Sequence, residues 1–102
     1  MGVEIVVSPT TLPHIEHVKR DHRFVMCLDE GQAVLTYRLR EGHIMDIRTT
    51  YVPPSARGRG IAAALVSAAL CYAKTQELLV IPTCSYLGKW LGAHSPPVKV
   101  IL

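Results

Sequence analysis

A chain of 102 residues is the size of one domain, and we read residues 1–102 as a single unit. With 49% hydrophobic and 19% charged residues it is too apolar for a disordered segment and apolar enough to build a core. The net charge of +3 suits an anionic ligand. The densest basic groups, Lys19-Arg20 with Arg23 and Arg57 with Arg59, are too sparse for a nucleic-acid-binding arm, and no apolar run is long enough to span a membrane.

In chain order, Val3 to Val7 is short and β-branched and reads as a strand, broken by Ser8-Pro9-Thr10. His14 to Arg20 is polar and reads as a loop or one helical turn. Phe24-Val25-Met26-Cys27-Leu28 makes the strand Arg23 to Leu28. Asp29-Glu30-Gly31 turns the chain into a strand over Ala33 to Leu39, and Arg40-Glu41-Gly42 turns it again into His43 to Val52. In that third strand, strict alternation places Ile44, Asp46, Arg48 and Thr50 on one face and Met45, Ile47, Thr49 and Tyr51 on the other. Tight glycine-containing turns between short strands predict an antiparallel meander. Pro53-Pro54 ends it, since proline cannot donate to a strand ladder.

Ile61 to Lys74 is the clearest helix: it is rich in alanine, and Ile61, Leu65, Ala68, Ala69 and Tyr72 recur at helical spacing. Leu78 to Ile81 is an apolar strand stopped by Pro82. Ser85 to Leu91 is a second short helix, with Thr83 or Ser85 as its cap and with Trp90 and Leu91 facing the core. From Ala93 the chain is interrupted by prolines and reads as irregular. A strand–helix–strand unit implies a parallel pair. The fold class is therefore α+β, with a mixed, mainly antiparallel sheet and a strand–helix–strand–helix C-terminal half.

The three cysteines, Cys27, Cys71 and Cys84, are an odd number at wide spacing, which argues against a disulfide framework. Cys27 and Cys71 read as small buried residues. With no CxxC pair, and with His14, His17, His22 and His43 lacking partners at ligand spacing, no metal site is expected. The N-terminus lacks a basic start and a long apolar segment, so no secretory leader is expected. A reducing cytoplasmic or nuclear setting is the default.

The chemically informative stretch is Val52-Pro53-Pro54-Ser55-Ala56-Arg57-Gly58-Arg59-Gly60-Ile61-Ala62, lying between a strand and a long helix. The first amides of a helix have no internal partner, carry partial positive charge and bind phosphate. Gly58 and Gly60 allow positive φ and a close backbone approach, and Arg57 and Arg59 add charge suited to a diphosphate. The spacing Arg57-x-x-Gly60-x-Ala62 is not a Walker loop, which needs Gly-Lys followed by Ser or Thr, and not a dinucleotide fingerprint, because position 63 is alanine.

That stretch, with Thr50-Tyr51-Val52-Pro53 before it and Ala69-Leu70-Cys71-Tyr72-Ala73 and Pro82-Thr83-Cys84-Ser85-Tyr86 after it, resembles the minimal GCN5-related N-acetyltransferase-like family. Arg23-Phe24, Ala33-Val34-Leu35-Thr36-Tyr37 and Met45-Asp46-Ile47 are similar to the same family upstream, so the resemblance runs from about Asp21 to His94. It looks nearest to the plant-type members that carry Cys-Ser-Tyr after the last strand. The resemblance implies acetyl-coenzyme A as cofactor. The loop would hold its diphosphate through Arg57, Gly58, Arg59, Gly60 and the backbone of Ile61, Ala62 and Ala63. Pantetheine would lie between Tyr51, Val52 and Pro53 on one side and Ile81 to Cys84 on the other.

Acyl transfer to an amine needs a held nucleophile and a proton acceptor. Cys84 follows the strand bordering that cleft and precedes a helix, a setting that favours thiolate chemistry. The resemblance points to the same cysteine as catalytic, and Tyr86 is the candidate proton donor. Relatives often carry histidine immediately before the Thr-x-Val-Pro element, where this chain has Thr49; that departure bears on catalysis more than on cofactor binding. Three readings stay open. The first is an N-acetyltransferase acting on a protein or small-molecule amine. The second is a coenzyme A or acyl-coenzyme A binding module with little turnover, and the third a cysteine hydrolase using Cys84 with His94. A monomer or weak dimer is expected, without nucleic-acid or membrane partners.

Overall fold

The computed structural model describes residues 14–101. The strand expected over Val3 to Val7 lies outside those residues. Five strands form one sheet in the order β1-β2-β3-β4-β5: β1 is Ile15–Val18, β2 Arg23–Leu28, β3 Gly31–Arg40, β4 Ile44–Tyr51 and β5 Leu79–Pro82. The first four pair antiparallel and β5 lies parallel to β4. Helix α1, Ile61–Thr75, supplies the crossover between β4 and β5, and α2, Ser85–Leu91, follows β5. The α+β architecture with its mixed sheet is the one the sequence implies.

Two segments depart from the sequence reading. Ile15–Val18, expected as loop or helical turn, is a strand paired with β2 from Ile15↔Met26 to Val18↔Arg23. Its local pattern is weak, and the ladder offered by β2 decides its conformation. A single 3-10 turn at Lys19–Asp21 then reverses the chain. At the other end, the segment after α2 does not remain wholly irregular: Val100 bridges Val80 in parallel, with the Val80 amide donating to the Lys99 carbonyl at 3.0 Å and the Ile101 amide to the Val80 carbonyl at 2.8 Å.

Alternation in β4 fails at one place. Pairing with β3 steps from Thr36↔Thr49 to Tyr37↔Ile47, so Arg48 is an extra residue, a β-bulge. Directly opposed residues share a face. Thr50, opposite Leu35, therefore joins Met45 and Ile47 on the helix-covered face, while Thr49 and Tyr51 join Asp46 on the opposite face. The strict two-residue period expected from the sequence splits these residues the other way. An inserted residue inverts the phase of everything after it.

The core lies between α1 and the covered face. Leu35, Met45, Ile47 and Val80 from the sheet and Leu65, Val66 and Leu70 from the helix are all almost fully buried. Each such side chain contributes about 1.5–3 kcal/mol on burial. Trp90 and Leu91 of α2 pack against this cluster, as their spacing implies. Helix α1 ends without glycine: the Glu77 amide donates to Lys74 and the Leu78 amide to Ala73, with Glu77 left-handed at φ 56°. These two bonds make a Schellman motif.

The cysteines sort differently from expectation. Cys27 and Cys71 are exposed and Cys84 is buried. Cys27 follows the buried Met26 on β2 and so points away from α1, where the Gln32 side-chain amide donates to its sulfur at 3.6 Å. Cys71 follows Leu70 on α1 and turns outward from the core.

Candidate active site

The ladder between β4 and β5 runs from Ile44↔Leu79 to Ile47↔Pro82 and stops. Pro82 has no amide to continue it, and the Arg48 bulge begins on the other side of the fork. The Cys84 amide closes the junction by donating to the Ile47 carbonyl at 2.9 Å. Beyond it β4 runs on through Tyr51 while the other chain folds into α2. The two strands part here, and the gap is bounded by the head of α1.

Between them lies an open cleft of about 430 Å³, within the size range of ligand sites. Thr50, Tyr51 and Val52 form the β4 wall, Tyr86 the α2 wall, and Ala56 to Ala63 most of the floor. Of the residues singled out in the sequence, Tyr51, Val52, Arg57, Gly58, Gly60, Ile61, Ala62, Ala63 and Tyr86 line the cleft. Pro53, Arg59 and Cys84 stand outside its lining. Thr50 and Ala56 line it and were not anticipated. Thr50 turns inward only because of the bulge, which no local pattern signals. Ala56 is the buried residue of the 3-10 turn Pro54–Ala56.

The loop owes its shape to glycine. Gly58 has φ 85° and Gly60 φ 79°, and a Cβ at either would meet no atom within 4 Å. Backbone conformation, not lack of space, therefore demands glycine at both. Gly60 is the N-cap of α1 and offers no side-chain cap; the first helical bond runs from the Ala64 amide to the Gly60 carbonyl at 3.0 Å. Among the described residues, the amides from Gly58 to Ala63 have no protein acceptor. The arginines serve the loop itself. Arg57 Nε donates to the Val52 carbonyl at 2.9 Å. Arg59 Nε donates to the Ala56 carbonyl at 3.3 Å, and its Nη2 pairs with Glu30 of the β2–β3 turn at 2.9 Å.

Cys84 is the N-cap of α2, so neither Thr83 nor Ser85 caps that helix. Its side chain is only 4% exposed, and its thiol donates to Thr50 Oγ1 at 3.4 Å. The sulfur thus reaches the cleft through Thr50. His94 stacks on Trp90 at 4.4 Å and bonds the Trp90 carbonyl at 3.0 Å, so the structure gives Cys84 and His94 separate partners. Thr49 shares a 2.6 Å hydroxyl–hydroxyl bond with Thr36, opposite it on β3.

Next to the fork sits Asp46, the one buried charged residue among those described. Thr83 Oγ1 donates to its carboxylate at 2.5 Å, and Arg40 and Arg48 approach the other oxygen at 3.1 and 3.3 Å. Burial pushes this carboxyl up, but the Thr83 hydroxyl and the two guanidiniums outweigh it and hold Asp46 below the ordinary carboxylate range.

The match to known proteins is consistent with this geometry. A family model described as GCN5-related N-acetyl-transferase matches residues 23–99, from β2 past α2. The chain belongs to the GCN5-related N-acetyltransferase family. The human relative named Protein NATD1 is 35% identical over 85 residues, 81% of this chain and 75% of its own length. The zebrafish (Danio rerio) protein of that name is 31% identical over 94 residues, 90% of this chain and 86% of its own, and the Xenopus tropicalis protein 30% over 93 residues. This acetyltransferase-like chain has no helix, among the described residues, long and apolar enough to cross a membrane.

Proposed function

We propose that this protein binds acetyl-coenzyme A in the cleft at the β4–β5 fork and passes the acetyl group to an amine. The observation that carries this reading is the run of uncapped amides at the head of α1, opening onto the cleft. Bound there, the cofactor supplies an activated thioester. Its diphosphate suits the amides of Gly58 to Ala63, which meet negative charge with aligned dipoles. Arg57 and Arg59 hold the loop open in its left-handed turns rather than supplying most of the charge. Tyr51, Val52 and Pro53 offer backbone groups along the pantetheine path, because β5 no longer occupies them. Tyr86 brings a proton-bearing hydroxyl to the cleft wall, where it would protonate the departing coenzyme A thiolate. Cys84 would serve as base, taking the amine proton through the Thr50 hydroxyl, or as acyl acceptor, its own sulfur taking the acetyl group once Thr50 turns aside and coenzyme A leaves as the thiol. The acceptor is a protein or small-molecule amine. The setting we assign is the reducing cytoplasm, and the working form a monomer or weak dimer.

The burial of Cys84 behind Thr50 favours a second reading, a coenzyme A or acyl-coenzyme A binding module with little turnover. The experiment that separates the two is calorimetry with coenzyme A beside an acetylation assay read by mass spectrometry. Binding by wild type, its loss in Gly60→Val, and loss of transfer without loss of binding in Cys84→Ala support the enzyme. Binding with no acetylated acceptor supports the module. No binding heat overturns both. Ligand at a hundredfold excess over Kd raises stability by about 2.7 kcal/mol, so a thermal shift gives an independent check.

A further inference from the structure

The face of the sheet turned away from α1 carries more positive charge than its own acids neutralise. Arg40 and Arg48 both converge on Asp46, yet their side chains remain 52% and 37% exposed. Arg38 stands in register with Asp46 on β3 and is exposed, without an ion pair among the described residues. Two guanidiniums thus contact one carboxylate, and a third stands opposite it on β3. That carboxylate is 1% exposed and already bonded to Thr83, so a solute meets mainly the arginines. Guanidiniums fixed by a buried acid are pre-organised for bidentate contact with a second, external anion.

From this cluster the same face continues through Thr36 and Thr49 to Tyr51, which lines the cleft. Arg48 and Tyr51 are three residues apart on one strand, about 10 Å at strand rise. An extended peptide of similar length covers that span. We propose that the exposed arginine end of this face docks the acceptor as an extended acidic peptide, an Asp or Glu side chain on Arg40 and Arg48 and the reacting amine about three residues away at the cleft. The proposal rests on the acetyl-transfer reading and names its acceptor class.

The probe is a short fluorescein-labelled peptide with one lysine and, three residues away, two glutamates, compared with its glutamine twin by anisotropy. The glutamate peptide is expected to bind at least about fivefold tighter, weakening as salt rises. Arg48→Gln and Arg38→Gln, the second at a guanidinium that makes no ion pair with Asp46, are each expected to weaken it about fivefold while leaving the heat of coenzyme A binding unchanged. Arg38→Gln keeps the test valid if Arg48→Gln unfolds. Equal affinity for the two peptides, indifference to Arg38→Gln, or tighter binding of a single-stranded RNA overturns the proposal. Glutamate-dependent binding without any coenzyme A binding supports the docking surface and refutes the cleft reading instead.

Discussion

Asp46 is a buried charge held by three partners, and its removal has a calculable sign. Its carboxyl titrates lower in the fold than in the open chain, so its contribution is complete above the ordinary carboxylate value and is lost as pH falls through the lower folded value. Asp46→Asn is expected to cost about 2 kcal/mol at neutral pH and to flatten the acid limb of a stability–pH curve. His17 behaves in the same direction for another reason. It stacks on Phe24 at 4.0 Å and shares a 2.6 Å bond with the Tyr37 hydroxyl. Burial, then Lys19 and His22, keep its imidazole below the usual histidine value, while burial and Tyr72 push Tyr37 up to about 12. Neutral His17 therefore accepts from Tyr37. Stability tied to it is full above the ordinary histidine value and falls as pH drops from there through the lower folded value. Thermal melts across that window should show a slope that His17→Phe reduces; an unchanged slope would place the titration elsewhere.

Helix α1 shows what a linear pattern discloses and what it hides. Alanine content and the spacing of Ile61, Leu65 and Ala69 located it to within a residue of its end, because helix propensity and burial agree there. Its stop was harder to see, since Glu77 occupies the left-handed position usually held by glycine. Glu77→Gly should raise stability by roughly 1 kcal/mol, measured by denaturant midpoint, because an L side chain is strained at that φ. At the other end Gly60→Ala meets no clash and should cost only about 1–2 kcal/mol, from its backbone alone, while weakening coenzyme A binding. The phosphate-loop candidates were legible as glycines between a strand and a helix. The Arg59–Glu30 pair was not, because a contact between residues so distant in the chain leaves no local trace. Thr50 and the phase of β4 were hidden for a related cause. The Arg48 bulge is chosen by how β3 and β4 mate, and nothing in Ile47-Arg48-Thr49 announces it. β1 was missed because four mixed residues become a strand only beside β2.

At the scale of the whole molecule, one core serves both the sheet and the cleft. Leu65→Ala, in the second turn of α1, should cost about 2–5 kcal/mol. A core this small has little stability to spare, so the cleft should open with the core, and coenzyme A binding and helical circular dichroism should be lost at the same denaturant concentration. Earlier loss of binding would make the loop a separately melting unit. The parallel bridge at Val100 bears on the molecule's behaviour in company. A border strand with bare amides and carbonyls is an invitation to a second chain. Here the protein's own tail takes that seat beside Val80, as a hem does on cloth. Cut away residues 98–102, and we expect unravelling at that border: copies sticking edge to edge, with a light-scattering signal that climbs with concentration more steeply than that of the uncut protein.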